Sequence, residues 1–197
     1  MVAKINVGTS LYGALAYNGE KVNEGEGKLL ATNRIFDDDT GQLNIRQAAE
    51  DFGRFMPDDV RTRNKVIHIS LNPHPEDFLN DAEMKAIAEE YMERLGYGNQ
   101  PYAIFKHEDI DRHHLHIVSI NVDENGRRIN KDFLHRRSKR ITRELEQHQV
   151  TLLKDVAMFD QMYELNLKYY KELTMYILAG KQKLQEVRSG KLVELQT

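Results

Sequence analysis

HEDIDRHHLHIVSIN, residues 107–121, decides how this chain is read. It holds four of the eight histidines within ten residues and then turns apolar. In an extended strand alternate side chains share a face, so HLHIVSIN places His114, His116 and Val118 on one side and Leu115, Ile117 and Ser119 on the other. Two imidazoles two residues apart on a strand converge on one ion. His107 ends the preceding strand, PYAIFKH, and a six-residue connection brings it beside the pair. Three neutral imidazoles that leave coordination positions open describe a catalytic metal site rather than a sealed structural one. Asp109 and Asp111 lie between them, and metal-bound imidazoles commonly give their second N–H to a carboxylate. Asp109 is well placed for that. His113 directly precedes the pair, and a slip of one residue would exchange the roles of these neighbours.

Outward from this stretch the chain reads as an α+β domain. AKINVG alternates as a short strand, and TSLYGALAYNGEKV follows as a helix with Thr9 or Ser10 as N-cap. The Gly-rich, polar NGEKVNEGEGKLLA reads as a loop, and QLNIRQAAEDFGRF as an amphipathic helix stopped by Pro57. KVIHISLNP is a strand with Val66, His68 and Ser70 on one face and Ile67, Ile69 and Leu71 on the other. Asn80 or Asp81 caps a helix whose stripe is Met84, Ile87, Ala88, Tyr91, Met92 and Leu95, and Gly96 ends it. The Asn-Gly of DENGRRI is a hairpin turn that folds the last strand back. A basic helix runs from Asp132 to about Gln149, and a longer one follows whose Met, Tyr and Leu residues recur at packing intervals. The expected architecture is an antiparallel sheet covered on one face by helices. It comprises a core over residues 1–149 and a helical extension over 150–197 that packs on or closes over it.

Composition narrows the chemistry. With no cysteine, a metal must sit on nitrogen and oxygen ligands. No run of about 18 apolar residues spans a membrane, and MVAKINVGTS lacks the apolar segment of a secretory signal, so the cytoplasm is the expected compartment. The net charge of −3 gives no global sign of nucleic acid. Residues 127–143, RRINKDFLHRRSKRITR, nevertheless hold eight Lys/Arg against one Asp. A local field of that kind points to a polyanion better than pI does.

The spacing His107-x-Asp109-x-Asp111-x-x-His114-x-His116, with Asn121 five further on, resembles the third motif of the HUH relaxases, the mobilisation nucleases of conjugative plasmids and transposons. GTSLYGALAYNGEKV resembles the first motif, in which a helix carries the catalytic tyrosine, and HISLNP at 68–73 resembles the second. The resemblance implies an HUH endonuclease-like palm, with an RRM- or ferredoxin-like core. It also implies metal-dependent nicking of single-stranded origin-of-transfer DNA by a tyrosine, leaving a religatable 5′-phosphotyrosine. Tyr17 is the tyrosine it selects, because the pattern around it fits the family better than that around Tyr12, which lies on a different helical face. His107, His114 and His116 become the metal ligands, Asp109 their orienting partner or the proton acceptor, and Ser70 a neighbour of the DNA backbone. The metal in use is expected to be Mn²⁺ or Mg²⁺, although three imidazoles also suit other transition ions. Arg127, Arg128, Lys131, Arg136, Arg137, Lys139 and Arg140 are expected to contact phosphates flanking the nick, with aromatic residues stacking bases. Accessory mobilisation and coupling proteins are the implied partners, in a bacterial cytoplasm. Relaxases commonly continue into further segments, so 197 residues could be the nuclease region alone.

A phenol with an ordinary pKa near ~10 is about one part in a thousand phenolate at pH 7, so the attack needs assistance. Three rivals share the histidines. One is a metal hydrolase acting through metal-bound water, which gives Tyr17 no role. Another is an HUH replication initiator or transposase. The third is a DNA-binding module with a structural metal or none.

Overall fold

A computed structural model describes residues 1–188 apart from 38–39, 58–59, 75–76, 78, 109–112 and 130–131, with side chains also omitted over 148–156 and 185–188. Five strands, β1 (Val2–Gly8), β2 (Gly27–Asn33), β3 (Val66–Asn72), β4 (Tyr102–His107) and β5 (His114–Ile120), form one antiparallel sheet in the order β1-β3-β5-β4-β2. Four helices accompany them: α1 (Leu11–Asn23), α2 (Ile45–Gly53), α3 (Asp81–Leu95) and α4 (Leu134–Arg188). The chain divides into two compact units, Met1–Gln147 and His148–Thr197. Sheet, α1, α2, α3 and the start of α4 belong to the first. Among the described residues no helix is long and apolar enough to cross a membrane.

Strand alternation builds two cores. Ile67, Ile69 and Leu71 of β3 and Leu115 and Ile117 of β5 point to one face. There they meet Met84, Ile87, Ala88, Tyr91, Met92 and Leu95, the buried stripe of α3. A capping box between Asn80 and Glu83 starts that helix, and Gly96, at φ 93, ends it in the left-handed conformation that glycine alone adopts freely. Leu134, Ile141 and Leu145 of α4 join the same core. Tyr91 Oη and Ser138 Oγ are 2.7 Å apart within it.

The other face carries Val66, Ala103, Phe105, Val118 and Ile120, covered by Leu15 and Val22 of α1 and Ala48 and Phe52 of α2. Leu15, Asn18, Gly19 and Val22 recur at helical intervals and are all buried, which fixes how α1 lies on the sheet. Ser10 is its N-cap, accepting from Gly13 N at 3.0 Å.

Four expectations need correction. Helices lie on both faces of the sheet, not one. The stretch read as a loop, NGEKVNEGEGKLLA, contains the end of α1 and most of β2. β2 is an edge strand held by β4, with an irregularity between Leu29 and Ala31 that turns these two to opposite cores. The Asn-Gly turn closes, with Gly126 at φ 69, but it leads to one bridge, Val122↔Arg128, and no returning strand among the described residues. The two C-terminal helices are one, because no proline occurs after Leu134 and no glycine before Gly180 to stop it. Over 157–184 the side chains of this helix are exposed.

Candidate metal centre and tyrosine

The apolar layer beneath α1 and α2 gives way to imidazoles at one end of the sheet. His107 is the last residue of β4 and His114 the first of β5, and the two are directly paired. His116 pairs with Phe105 of β4 on one side and with Ser70 of β3 on the other. All three project on the same face, and their ligand atoms lie within 4.8 Å of one another. Ring centroids are 4.3 Å apart for His107–His116, 5.0 Å for His114–His116 and 5.4 Å for His107–His114. His107 and His114 are buried and His116 half-buried. Such a trio, open on one side, fits a divalent cation of the borderline class. β5 begins after His113, whose exposed ring lies 3.8 Å from Glu108 Oε1 instead. Asp109 and Asp111 lie outside the described residues.

Tyr17 stands off the buried stripe of α1 and is half exposed. Its ring centroid is 6.3 Å from that of His107 and 6.5 Å from that of His116. Lys21, one turn further along, holds its ammonium 5.7 Å from the Tyr17 ring centre. Among the described residues Tyr12, 60% exposed, makes no ring contact with the trio.

One neighbour escaped the sequence reading. His68 of β3 lies diagonally beside His116, with Nε2 2.8 Å from His116 Nδ1 and ring centroids 4.9 Å apart. Burial holds the His68 ring below the usual histidine range, so it is neutral at pH 7. A neutral ring can accept at Nε2 what the Nδ1–H of His116 donates. The signal was present, since His68 and Ser70 share a strand face, but it becomes legible only once β3 is known to pair with β5. Ser70 Oγ accepts from Asn72 Nδ2 at 2.9 Å, on the face of the trio and beside His116.

Asn121, the distal residue of the motif, is buried at the other end of β5. Its backbone N–H donates to Lys65 O at 2.7 Å and its Oδ1 accepts from Tyr97 Oη at 2.7 Å. Burial pushes the Tyr97 phenol up to about 12. Asn121 thus ties the strand end to the loops around it, far from the imidazoles in register.

The basic stretch is not brought to the trio. Arg136, Arg137, Lys139 and Arg140 sit on the first turns of α4, whose buried residues Leu134, Ile141 and Leu145 face the core on the opposite side of the sheet. Arg137 donates to Leu95 O, closing the end of α3, and Arg140 lies 3.7 Å from Glu144. Arg127 follows the Gly126 turn, its backbone N–H donating to Asp123 Oδ1. Arg128 lines a concavity with Ile5 and Val7 of β1. Lys131 lies outside the described residues.

The model of the MobA/VirD2-like relaxase nuclease domain matches residues 17–150. The chain belongs to the MobA/VirD2-like relaxases. A second family model, that of the toxic anion resistance protein TelA, matches residues 135–197 of this relaxase. TelA-like proteins of Staphylococcus aureus resemble it over 57 residues, with 39% identity in strain bovine RF122 / ET3-1 and 37% in strain Mu50 / ATCC 700699. These matches cover 29% of the relaxase chain, which spans about 15% of the length of the curated relatives it matches. Among solved structures, the relaxase domain of MobM bound to plasmid pMV158 oriT DNA, in a Mn-bound crystal, is similar at 16% identity and a TM-score of 0.44, over 66% of this chain and 74% of that one.

Proposed function

We propose that this relaxase nicks one strand of single-stranded origin-of-transfer DNA, with Tyr17 as nucleophile and a divalent cation held by His107, His114 and His116. The observation that carries the reading is the position of the Tyr17 ring against two of the three clustered imidazoles. Neutral ligands leave a cation its full charge, and Mn²⁺ or Mg²⁺ so held would neutralise the phosphate as a Lewis acid. Tyr17 Oη attacks the scissile phosphorus, a bond to the phenolic oxygen forms, and the bond to the 3′ oxygen breaks. The phenol loses its proton, with Asp109 as the proposed acceptor, and the departing oxygen gains one to become a 3′-hydroxyl. The product is a 5′-phosphotyrosine diester, so the bond energy is kept and the 3′-hydroxyl can reverse the step. His68 holds His116 through the Nδ1 contact, which would leave Nε2 of that ring to ligate a cation. Ser70, beside His116, lines the path of the backbone. Arg127, Arg128, Lys131, Arg136, Arg137, Lys139 and Arg140 contribute positive field to DNA beyond the scissile phosphate. Accessory mobilisation and coupling proteins in the bacterial cytoplasm complete the setting.

Incubation with single-stranded DNA spanning the native origin, with Mn²⁺ and without, followed by a denaturing gel, tests this. A covalent protein–DNA band is expected, dependent on metal, absent from Tyr17→Phe and present in Tyr12→Phe. Cleavage without the band, indifferent to Tyr17→Phe, would assign the histidines to hydrolysis by water. A band formed only on replication-origin or transposon-end DNA would move the chain to the initiator or transposase branch.

A further inference from the structure

Phe133 is a bulky residue in a backbone conformation that bulky residues avoid. Its φ is 50, it immediately precedes α4, and its side chain is 75% exposed. Residues held this way persist where the surroundings impose them, and they cluster at ligand sites. Here the turn is imposed by α4, whose first helical bond runs from Arg137 N to Phe133 O at 2.9 Å. The consequence is a flat apolar ring presented to solvent at the head of a helix.

The helix continues the feature with charge. Arg136, Lys139, Arg140 and Arg143 follow at intervals of three, one and three residues, so they line one exposed side of α4, and Phe133 extends that side by one more turn. Leu134, Ser138, Ile141, Thr142 and Leu145 occupy the buried side, which holds the cationic row outward. Among the described residues Arg136, Lys139 and Arg143 have no carboxylate within ion-pair distance; Arg140 shares Glu144 with Arg94. A concavity lies on each side of the ring. One is bounded by Ile5, Val7 and Arg128, and the other by Arg136, Arg140 and Arg143.

An aromatic platform at the head of a row of mostly unpaired cations is the arrangement that holds single-stranded nucleic acid, since every base has a stacking face and every phosphate a charge. From Arg136 to Arg143 the helix rises about 10 Å, room for about three steps of a stacked strand at about 3.4 Å each. A protein ligand is a poorer match, because the row offers no continuous apolar surface beyond the one ring. We infer that Phe133, Arg136, Lys139, Arg140 and Arg143 form a second single-stranded DNA site, in which a base stacks on Phe133 and the following phosphates run along α4. It lies on the side of the sheet away from the histidine trio, so it holds nucleotides several steps from the scissile phosphate. The site sets how long a substrate must be for full affinity, and it reads no sequence. The inference rests on the reading of the chain as a nuclease of single-stranded DNA.

The test uses the full chain in EDTA, so that binding is read without cleavage, with fluorescent oligonucleotides of two lengths: a short one covering only the nucleotides around the nick and a long one extending well to either side. Wild-type protein should bind the long one more tightly. Phe133→Ala should weaken the long one by about tenfold, while Phe133→Trp keeps wild-type affinity. Arg136→Gln with Arg140→Gln should flatten the log affinity against log salt slope by about 1.4, that is about 0.7 per lost phosphate contact on a single strand. A 2-aminopurine placed in the long oligonucleotide should be quenched by wild type and by Phe133→Trp but not by Phe133→Ala. Urea unfolding of each variant separates a binding loss from a folding loss. Equal affinity of Phe133→Ala and wild type for the long DNA would overturn the site, and so would Phe133→Trp binding as weakly as Phe133→Ala. Wild-type cleavage of the short oligonucleotide in Mn²⁺ tests the nuclease reading by itself, so the two can fail separately.

Discussion

Replacing His68 by leucine removes the hydrogen-bond partner of His116 while nearly conserving volume. The hydrogen bond it deletes is 2.8 Å long and joins two half-buried rings. A single hydrogen bond of this kind contributes about 0.5–1.5 kcal/mol net. That alone converts to roughly a twofold to twelvefold loss at about 1.4 kcal/mol per decade. A second cost is orientation: with Nδ1 untethered, the His116 ring can rotate its Nε2 away from His107 and His114, whose own strands are fixed by direct pairing. Partners of this type typically carry about 10–100-fold in metal affinity, and a loss in that range is the expected outcome for His68→Leu if His116 is a ligand. His68→Gln, whose carbonyl can accept from Nδ1–H, should recover most of the loss. Calorimetric titration of Mn²⁺ into the DNA-free protein measures this without any turnover. Unchanged Mn²⁺ affinity in His68→Leu would refute the reasoning, as would His68→Gln binding no better than His68→Leu.

Gly96→Ala forces a Cβ into the left-handed cap of α3, and urea unfolding should show a loss of about 1–2 kcal/mol with Mn²⁺ affinity unchanged. Gly27 pairs with His107 at the sheet edge, and a Cβ there would strike the Lys106 carbonyl, which is backbone and cannot swing aside. Gly27→Ala should therefore displace the end of β2 or β4 and weaken Mn²⁺ binding in a protein that still unfolds cooperatively. The Asp51 carboxylate accepts from Phe36 N and from Gln47 Nε2 and lies 3.1 Å from Arg54. The backbone bond first, then Gln47 and Arg54, hold its pKa below the usual range against the cost of burial. A depressed carboxylate stabilises the fold above its unfolded pKa and loses that contribution as pH falls through the folded value. Asp51→Asn should thus be less stable than wild type at pH 7, and the gap in urea midpoint should shrink as pH drops below about 4; a gap that widens toward acid would contradict this.

Much of this fold can be read from local pattern. Alternation in KVIHISLNP and HLHIVSIN assigns every side chain of β3 and β5 to the correct face, and Asn80 and Gly96 bracket α3. The clustering of His107, His114 and His116 is legible for the same reason: two consecutive strands joined by a short connection must pair, and their facing ends must meet. Features that depend on distant pairing are not legible. β2 starts within a polar, Gly-containing stretch and is short of alternation because of its irregularity, so only its pairing with β4 reveals it. His68 gains its meaning from the β3–β5 ladder. The face on which α4 packs is disguised by Ser138 and Thr142, polar residues in its buried stripe, the first of them satisfied by Tyr91. Without that stripe the basic row could not be assigned to the side away from the imidazoles.

The central claim is that the phenol beside the imidazole trio becomes covalently joined to DNA. After reaction with origin DNA in Mn²⁺ and nuclease trimming, tryptic digestion yields the segment 5–21, INVGTSLYGALAYNGEK, which contains both Tyr12 and Tyr17. Fragmentation of that peptide by mass spectrometry locates the nucleotide. The account predicts a nucleotidyl group on Tyr17; the same group on Tyr12, or an unmodified peptide from a reaction in which the DNA was cut, would contradict it.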